Sequence, residues 1–596
     1  MSASSSKEIV INSEHQDIEQ DEIIVIDYEL KQIESEIQNL EDRKKILIQR
    51  KEKLRDDALL KKSLSVSKKD WSKEDFIWSK DLKKTLKDVF KIEKLRELQL
   101  PTMNAIMSNE DVILIMPTGG GKSLCYQLPA VISKGITIVV SPLLSLMEDQ
   151  IHGLQKHNVK AGMLSAKCNK ENVKIIMNAL IDKKSDLKLI YVTPEYMAKS
   201  NRFMNKLQKA FEMKRLDRFA IDEVHCCSQW GHDFRPDYKF LGILKSMFPG
   251  VPILGLTATA PAKIIVDVQK MLDIQGCLVL RATFNRPNLF YEVRRKPTDK
   301  DTCLAMIENL LKNRFKDKSG IIYTTTIKDA EQLTTDLRAV GLKVGCYHAM
   351  LEADYRSEVY SKWISGKYQA VVATIAFGLG IDKPDVRYVI HHCISKSMES
   401  FYQESGRAGR DGKKSMCIVL YKLQDIFKLS TMVFQDKVGL QNLYKMLAYC
   451  LDQTSCRRSL IATHFEESWT RSDCAEMCDH CRKLKDNKQI NIAPYCRQLY
   501  QIMTKAVQNE TRLTVLKLID AWYGKGASIL RVSSVPIPKF TRESGEAIVG
   551  HLLVNGYLQE DFHFSAYSTI SYIKRGPKAV LALDTTHEIF FNYELH

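Results

Sequence analysis

Runs of consecutive apolar residues recur between residues 70 and 420, spaced by amphipathic stretches. They include DVILIM (111–116), ITIVV (136–140), LKLIYV (187–192), RFAIDE (218–223), PILGLTAT (252–259), SGIIYT (319–324), QAVVAT (369–374) and VRYVIHH (386–392). A strand buried on both faces reads as a continuous apolar run, so this pattern predicts parallel sheets covered by helices. The region is too long for one such sheet and suits two. Ahead of it, apolar residues fall at Ile26, Leu30, Ile33, Ile37, Leu40, Leu47 and Leu54, with Lys44 and Lys51 in two positions of the same seam. The steps of three and four predict a heptad helix that self-associates as a coiled coil; a single solvated helix is the other reading. KKSLSVSKKD (61–70) reads as a linker. After residue 420 helical periodicity takes over. The segment GYLQEDFHFSAYSTISYIKRG (556–576) then alternates around a central SAY, which predicts a β-hairpin.

Composition narrows the class. The chain has 596 residues, 44% hydrophobic and 27% charged, which excludes a mainly disordered protein. No apolar run is long enough for a transmembrane helix, and the polar, acidic N-terminus lacks the apolar stretch of a secretory signal. Lysine and arginine exceed the acids by 88 − 72 = 16, a balance suited to a polyanionic partner but also found in ordinary basic proteins. Fifteen cysteines are too sparse for a disulfide scaffold and point to a reducing compartment, apart from one cluster at 456–481.

MPTGGGKS (116–123) follows a predicted strand and precedes a helical pattern. Thr118, Gly119, Gly120 and Gly121 would turn backbone amides around phosphates. Lys122 would reach the β- and γ-phosphates, and Ser123 would ligate Mg²⁺. Met116 stands where the strict template has glycine. A hundred residues on, the strand RFAI ends in DEVH (222–225). An acid at the carboxyl end of a parallel strand faces the ligand crevice. Asp222 would hold Mg²⁺ and Glu223 would activate the attacking water. In QESGRAGRDG (403–412), Arg407 and Arg410 are candidate cations supplied in cis by a second lobe; a solvated basic turn is the other reading.

Together with LTATA (256–260) and ATIAFGLGIDKPDVRYVIHH (373–392), these motifs resemble a superfamily-two helicase. SQWGHDFRPDY (228–238) resembles the aromatic-rich loop of RecQ helicases, and the similarity to the short members of that family runs to about residue 580. The resemblance implies two RecA-like lobes, a helical zinc-binding subdomain and a winged-helix domain. The divisions fall at 1–66, 67–284, 285–421, 422–483 and 484–596. It implies that Arg96 and Gln99 read adenine, although Leu95 and Glu97 depart from the family's F-R-x-x-Q segment. It assigns Gln403 to the nucleotide site, Thr257 and Thr259 to coupling, and Asp382 to a ribose or interlobe contact. Trp230, Phe234 and Arg235 would contact single-stranded DNA, where base stacking is worth about 1–3 kcal/mol per base; buried packing of the two aromatics is the other reading. The hairpin tip would place Tyr567 at the strand fork, and Lys525, on a preceding helix, would contact duplex phosphate. The additional C-terminal helical domain of other family members is expected to be absent. Polarity would be 3′ to 5′ and localisation nuclear. Single-stranded and forked DNA would be substrates, with homo-oligomerisation through the N-terminal helix. Single-strand-binding protein and topoisomerase are family-level expectations as partners.

Cys456, Cys474, Cys478 and Cys481 read C-x17-C-x3-C-x2-C, spacing suited to one closed, structural Zn²⁺ site. The four match the family's zinc cysteines, while Cys450, His464 and His480 compete as ligands. ATP, Mg²⁺ and Zn²⁺ are thus the expected cofactors, and an ATP-dependent DNA helicase is the expected activity. Two rival functions stay open: an ATP-driven translocase or RNA helicase on the same lobes, and a strand-annealing DNA-structure-binding protein.

Overall fold

The structure is a computed structural model. It describes residues 68–592 except 118, 229–234, 259–260, 379–382, 484–488 and 565–567, and also isolated positions between 26 and 50. At Ile26, Leu30, Ile33, Leu40 and Leu47 the chain is helical, and each of these side chains is more than half exposed. Ile37, Lys51 and Leu54 lie outside the described residues.

Two parallel sheets dominate the rest. The first holds β1 (Val112–Ile115), β2 (Ile136–Val140), β3 (Ala161–Leu164), β4 (Leu189–Val192), β5 (Leu216–Ile221), β6 (Ile253–Thr257) and β7 (Leu278–Arg281), in the order 3-4-2-5-6-1-7. The second holds β8 (Leu289–Arg295), β9 (Ser319–Tyr323), β10 (Val344–Tyr347), β11 (Ala370–Ala373), β12 (Val386–His391) and β13 (Ser415–Tyr421), in the order 10-11-9-12-13-8. Every apolar run singled out above is a strand. β1, β2, β4, β6 and β11 are buried at every position, as expected for strands covered by helices on both faces. β3 and β7 carry only half-buried patterns and were not legible as continuous runs.

The second sheet's core is filled by Ile307, Leu311, Phe315, Leu337, Val372, Tyr388 and Ile418. Gly320 lets Tyr388 pack directly on the β9 backbone: a Cβ there would lie 2.0 Å from the tyrosine ring. Beyond β13, helices Leu423–Val433, Gly439–Leu451 and Arg457–His464 lead to the cysteine cluster. Helices Ala493–Gln508, Val515–Trp522 and Arg542–Val554 then precede an antiparallel hairpin of β14 (Leu558–Phe564) and β15 (Thr569–Arg575), paired from Leu558↔Arg575 to Phe564↔Thr569. The alternating segment therefore forms the hairpin its pattern predicts.

Candidate active site

Strand order assembles the first half of the site. β6 lies between β1 and β5, so the loops leaving the carboxyl ends of all three strands meet, although about 140 residues of chain separate the first from the last. Gly119 and Gly121 adopt φ of +79° and +89°, which disfavours any side chain. A Cβ on Gly121 would also sit 2.5 Å from Gln99 Nε2. Thr118 lies outside the described residues. Lys122 Nζ donates to Met116 O at 2.9 Å. Burial lowers its pKa, while Glu223 and Asp222 pull it back up. Burial pushes the Asp222 carboxyl up, against the attraction of Lys122. Glu223 is held at φ +49° and is 8% exposed, a strained backbone at the end of β5. Its carboxylate lies 3.3 Å from His225 Nδ1, which also bonds Thr257 Oγ1 at 2.9 Å. His225 thus joins the β5 loop to β6 through Thr257, one of the two threonines expected to act in coupling; His225 itself was given no role in the sequence reading.

The second sheet supplies the opposite wall. Ser397 caps helix Met398–Ser405 by accepting from Ser400 N, and that helix carries Gln403, whose amide donates to Glu223 Oε1 at 3.4 Å. The two arginines differ. Arg407 is buried against Gly378, where a Cβ would lie 2.5 Å from Nη2. Arg410 reaches the phosphate loop, its Cγ 3.0 Å from where a Gly119 Cβ would stand. Linker residues hold this turn in shape. Arg286 donates to the carbonyls of Gly406, Ala408 and Gly409, and Asn288 Nδ2 donates to Gly409 O at 2.8 Å and Lys413 O at 3.0 Å. Neither residue belongs to a motif, so no sequence signal marked them.

The resulting cavity, about 450 Å³, is lined by Lys122, Ser123, Asp222, Glu223, Gln403, Arg407 and Arg410, with Phe90, Arg96 and His157 on its outer wall. Cations face carboxylates across a gap between two sheets, an arrangement that binds a nucleotide polyphosphate and stabilises charge during its hydrolysis. Ser123 and Asp222 line the same cavity and are suitable oxygen ligands for a magnesium ion. Arg96 and Gln99 are engaged with the phosphate loop itself. Gln99 accepts from Arg96 N at 2.7 Å and donates to Gly121 O at 3.0 Å, while Arg96 donates to Gly119 O. Phe90, absent from the motif reading, places an aromatic ring in the wall despite Leu95, 5.5 Å from the His157 ring.

The DNA-contact candidates divide. Trp230, Phe234 and Tyr567 lie outside the described residues, as do Thr259 and Asp382. Arg235 is half-buried and donates to Pro142 O at 3.2 Å, while its backbone N–H closes the aromatic-rich loop on Cys226 O at 3.1 Å. Tyr238, the last residue of that segment, is fully buried and its hydroxyl donates to Asp222 O at 2.9 Å. Sequence reading missed this bond from the loop to the hydrolytic strand. Lys525 is exposed as expected but is not on a helix. It sits in the turn after Val515–Trp522, between Gly524 and Gly526, both at positive φ, because these glycines end the helix.

The four cluster sulfurs lie within 4.8 Å of one another, with Cys456 and Cys478 4.0 Å apart. Tetrahedral zinc with bonds of about 2.3 Å needs sulfurs roughly 3.8 Å apart, so the tetrad fits. The competing ligands are committed elsewhere. His480 bonds Ser455 O at 2.7 Å and Arg457 at 2.9 Å, His464 bonds Glu399 at 2.8 Å, and Cys450 is a buried thiol with its pKa pushed up to about 12.

Three family descriptions match the chain: DEAD/DEAH box helicase at 96–268, helicase conserved C-terminal domain at 302–412, and RecQ zinc-binding at 423–482. The chain is 50% identical over 578 residues to ATP-dependent DNA helicase Q1 of Rattus norvegicus, covering 96% of this chain and 93% of that protein. It is 53% identical over 519 residues to the protein of the same name from Pongo abelii, covering 87% and 80%. ATP-dependent helicase SGS1 of Saccharomyces cerevisiae is 37% identical over 541 residues, covering 87% of this chain and 37% of that protein. Among the described residues no helix is long and apolar enough to cross a membrane. The matched span covers 96% of the chain, the RecQ zinc-binding match takes in the cysteine tetrad, and the chain belongs to the RecQ family of ATP-dependent DNA helicases.

Proposed function

We propose that the protein is a 3′-to-5′ motor that separates DNA strands in replication, recombination and repair. The observation that carries this reading is the cavity where Lys122, Asp222 and Glu223 of one sheet face Gln403, Arg407 and Arg410 of the other. Lys122 and the loop glycines hold the phosphates, Ser123 and Asp222 hold Mg²⁺, and Glu223 takes the proton of the attacking water. Mg²⁺ supplies charge neutralisation at the phosphate oxygens. Arg410 acts as the cis arginine finger because it reaches the phosphate loop, with Arg407 behind it. Arg96 and Gln99 read adenine from their place beside the loop.

The proposed divisions are 1–66, 67–284, 285–421, 422–483 and 484–596. The last, three helices and a hairpin, is read as a winged helix with Tyr567 at the wing tip as a strand-separating wedge. Trp230, Phe234 and Arg235 contact single-stranded DNA, and Lys525 a duplex phosphate. The exposed apolar seam at Ile26, Leu30, Ile33, Leu40 and Leu47 supports self-association through the N-terminal helix. Nuclear location, and single-strand-binding protein and topoisomerase as partners, are family-level expectations.

Strand displacement on forked DNA, with ATP and with a non-hydrolysable analogue, tests the reading. Unwinding with ATP alone is expected; strand annealing without ATP-dependent displacement overturns it. Tyr567→Ala is expected to keep DNA-stimulated hydrolysis and lose most unwinding.

A further inference from the structure

The hairpin strand β14 alternates inward and outward, with Leu558 and Glu560 buried and Gln559 and Asp561 exposed. An inward position calls for an apolar residue, yet Glu560 is 4% exposed. Its carboxylate accepts three hydrogen bonds, all from hydroxyls. Ser571 on the partner strand and Ser430 each reach Oε2 at 2.5 Å, and Tyr444 reaches Oε1 at 2.7 Å. Ser430 and Tyr444 lie on helices Leu423–Val433 and Gly439–Leu451, within the zinc-binding segment and more than a hundred residues upstream. Burial raises the pKa of Glu560, opposed by those three hydroxyls.

Two apolar contacts extend the same junction. Phe434 stacks on Phe562 at 4.4 Å and tilts against Phe564 at 5.6 Å. Helix Arg542–Val554 packs closely on the same pair of helices, since a Cβ on Gly550 would lie 3.1 Å from Leu451 and 3.4 Å from Leu423. Apolar surfaces can slide over one another. Hydrogen bonds to a buried acceptor are directional, and breaking any of them leaves a desolvated polar group. A buried carboxylate is a costly way to gain stability but an effective way to specify one orientation.

We propose that Glu560 is a positioning residue. It locks the hairpin to the two helices ahead of the cysteine cluster, so that the direction of the hairpin is set by the zinc-binding subdomain and lobe movement reaches the tip. The inference rests on the reading of the hairpin as the strand separator. None of the described residues lining the nucleotide cavity is among the hydrogen-bond partners of Glu560, so its expected effect is on coupling and not on hydrolysis.

The test measures DNA-stimulated ATPase, displacement of forked DNA and thermal melting on the full chain for Glu560→Ala, Glu560→Gln, Tyr444→Phe and, as reference, Tyr567→Ala. Glu560→Ala is expected to hydrolyse ATP within about 2-fold of the parent and unwind roughly 10-fold more slowly, so that more ATP is consumed per base pair opened. Glu560→Gln, which can still bond the hydroxyls, is expected to recover unwinding to within about 3-fold. Tyr444→Phe removes one donor and is expected to raise ATP consumption per base pair by about 2-fold while lowering melting by no more than a few degrees. If Glu560→Ala unwinds normally while Tyr567→Ala does not, the positioning role is wrong and the wedge stands. If both unwind normally, the wedge reading fails and this proposal with it. A parallel fall in ATPase, unwinding and melting for Glu560→Ala, with unchanged coupling in Tyr444→Phe, reduces Glu560 to a structural residue and overturns the proposal.

Discussion

Glu223 and Glu560 are both nearly buried carboxylates, and they sit in opposite kinds of surroundings. Glu223 follows a strand in left-handed backbone, near Lys122 and His225, with Gln403 approaching from the other sheet. Its neighbours on the first sheet are charged or titratable, and the one that reaches it from the second sheet is a neutral amide. Glu560 lies within a regular strand and meets three neutral hydroxyls. A buried acid beside ions at a cleft, with a neutral amide reaching it from the far side, is suited to changing partners during a cycle. One satisfied by fixed hydroxyls is suited to keeping them. On the proposed reading, the cleft is the part of the motor that switches and the hairpin mount the part that transmits.

The sharpest way to separate the two regions is to stop the switch. Lys122→Ala and Glu223→Gln are expected to lower DNA-stimulated ATP turnover by about 10³-fold or more, equivalent to roughly 4 kcal/mol of barrier. Melting and DNA binding should stay near normal in both. Turnover within a few-fold of the parent in either purified variant removes the assignment of the cleft. Next comes the wall from the second sheet. Arg410→Ala is expected to cost about 10³-fold in turnover with little loss of nucleotide binding. An Arg407→Ala defect with a normal Arg410→Ala enzyme reverses the order of the two arginines.

The mount is attacked from its base through the tetrad. Cys478→Ser is expected to lose the one zinc ion per chain by elemental analysis and to lower melting by several degrees, because ligand loss removes folding free energy. Unwinding should fall more than hydrolysis, since Ser430 and Tyr444 lie on the helices that lead to the cluster. An equal fall in both rates merges the two regions into one cooperative unit. The smallest effect sharpens the cleft. Tyr238→Phe removes one hydrogen bond to Asp222, about 1 kcal/mol, and is expected to reduce DNA stimulation of turnover a few-fold. An unchanged dependence of turnover on DNA concentration shows that the aromatic-rich loop signals by another path.

Most of the chemistry was legible because it is local. A glycine loop after an apolar strand and an acid pair ending another each declare themselves within a few residues, and three of the four cluster cysteines lie between 474 and 481. The eight strands singled out were legible because burial makes their runs continuous; β3 and β7 are only partly buried, and β10 and β13 were not among the runs singled out although most of their positions are buried. Other features depended on long-range placement. Lys525 is the exception, since Gly524 and Gly526 on either side of it are a local helix-stop signal that the sequence reading passed over. His464 and His480 were credible zinc ligands until Glu399, Ser455 and Arg457 engaged them. The alternation that predicts the hairpin puts Glu560 on the same face as Leu558, and only the two zinc-segment helices give its carboxylate buried partners.

By itself the sequence determined the two parallel-sheet lobes, the phosphate loop, the acid pair and the cysteine tetrad, because short-range periodicity and spacing are physical constraints on a few neighbouring residues. The tertiary structure decided which of these groups meet. The 5-6-1 strand order joins Lys122 to Asp222, a helix on the second sheet brings Gln403 to Glu223, and the turn shaped by Arg286 and Asn288 aims Arg410 at Gly119. Two zinc-segment helices close on Glu560 in the same way. Strand order and packing are set by the burial of whole faces at once, and no local window of residues contains that information.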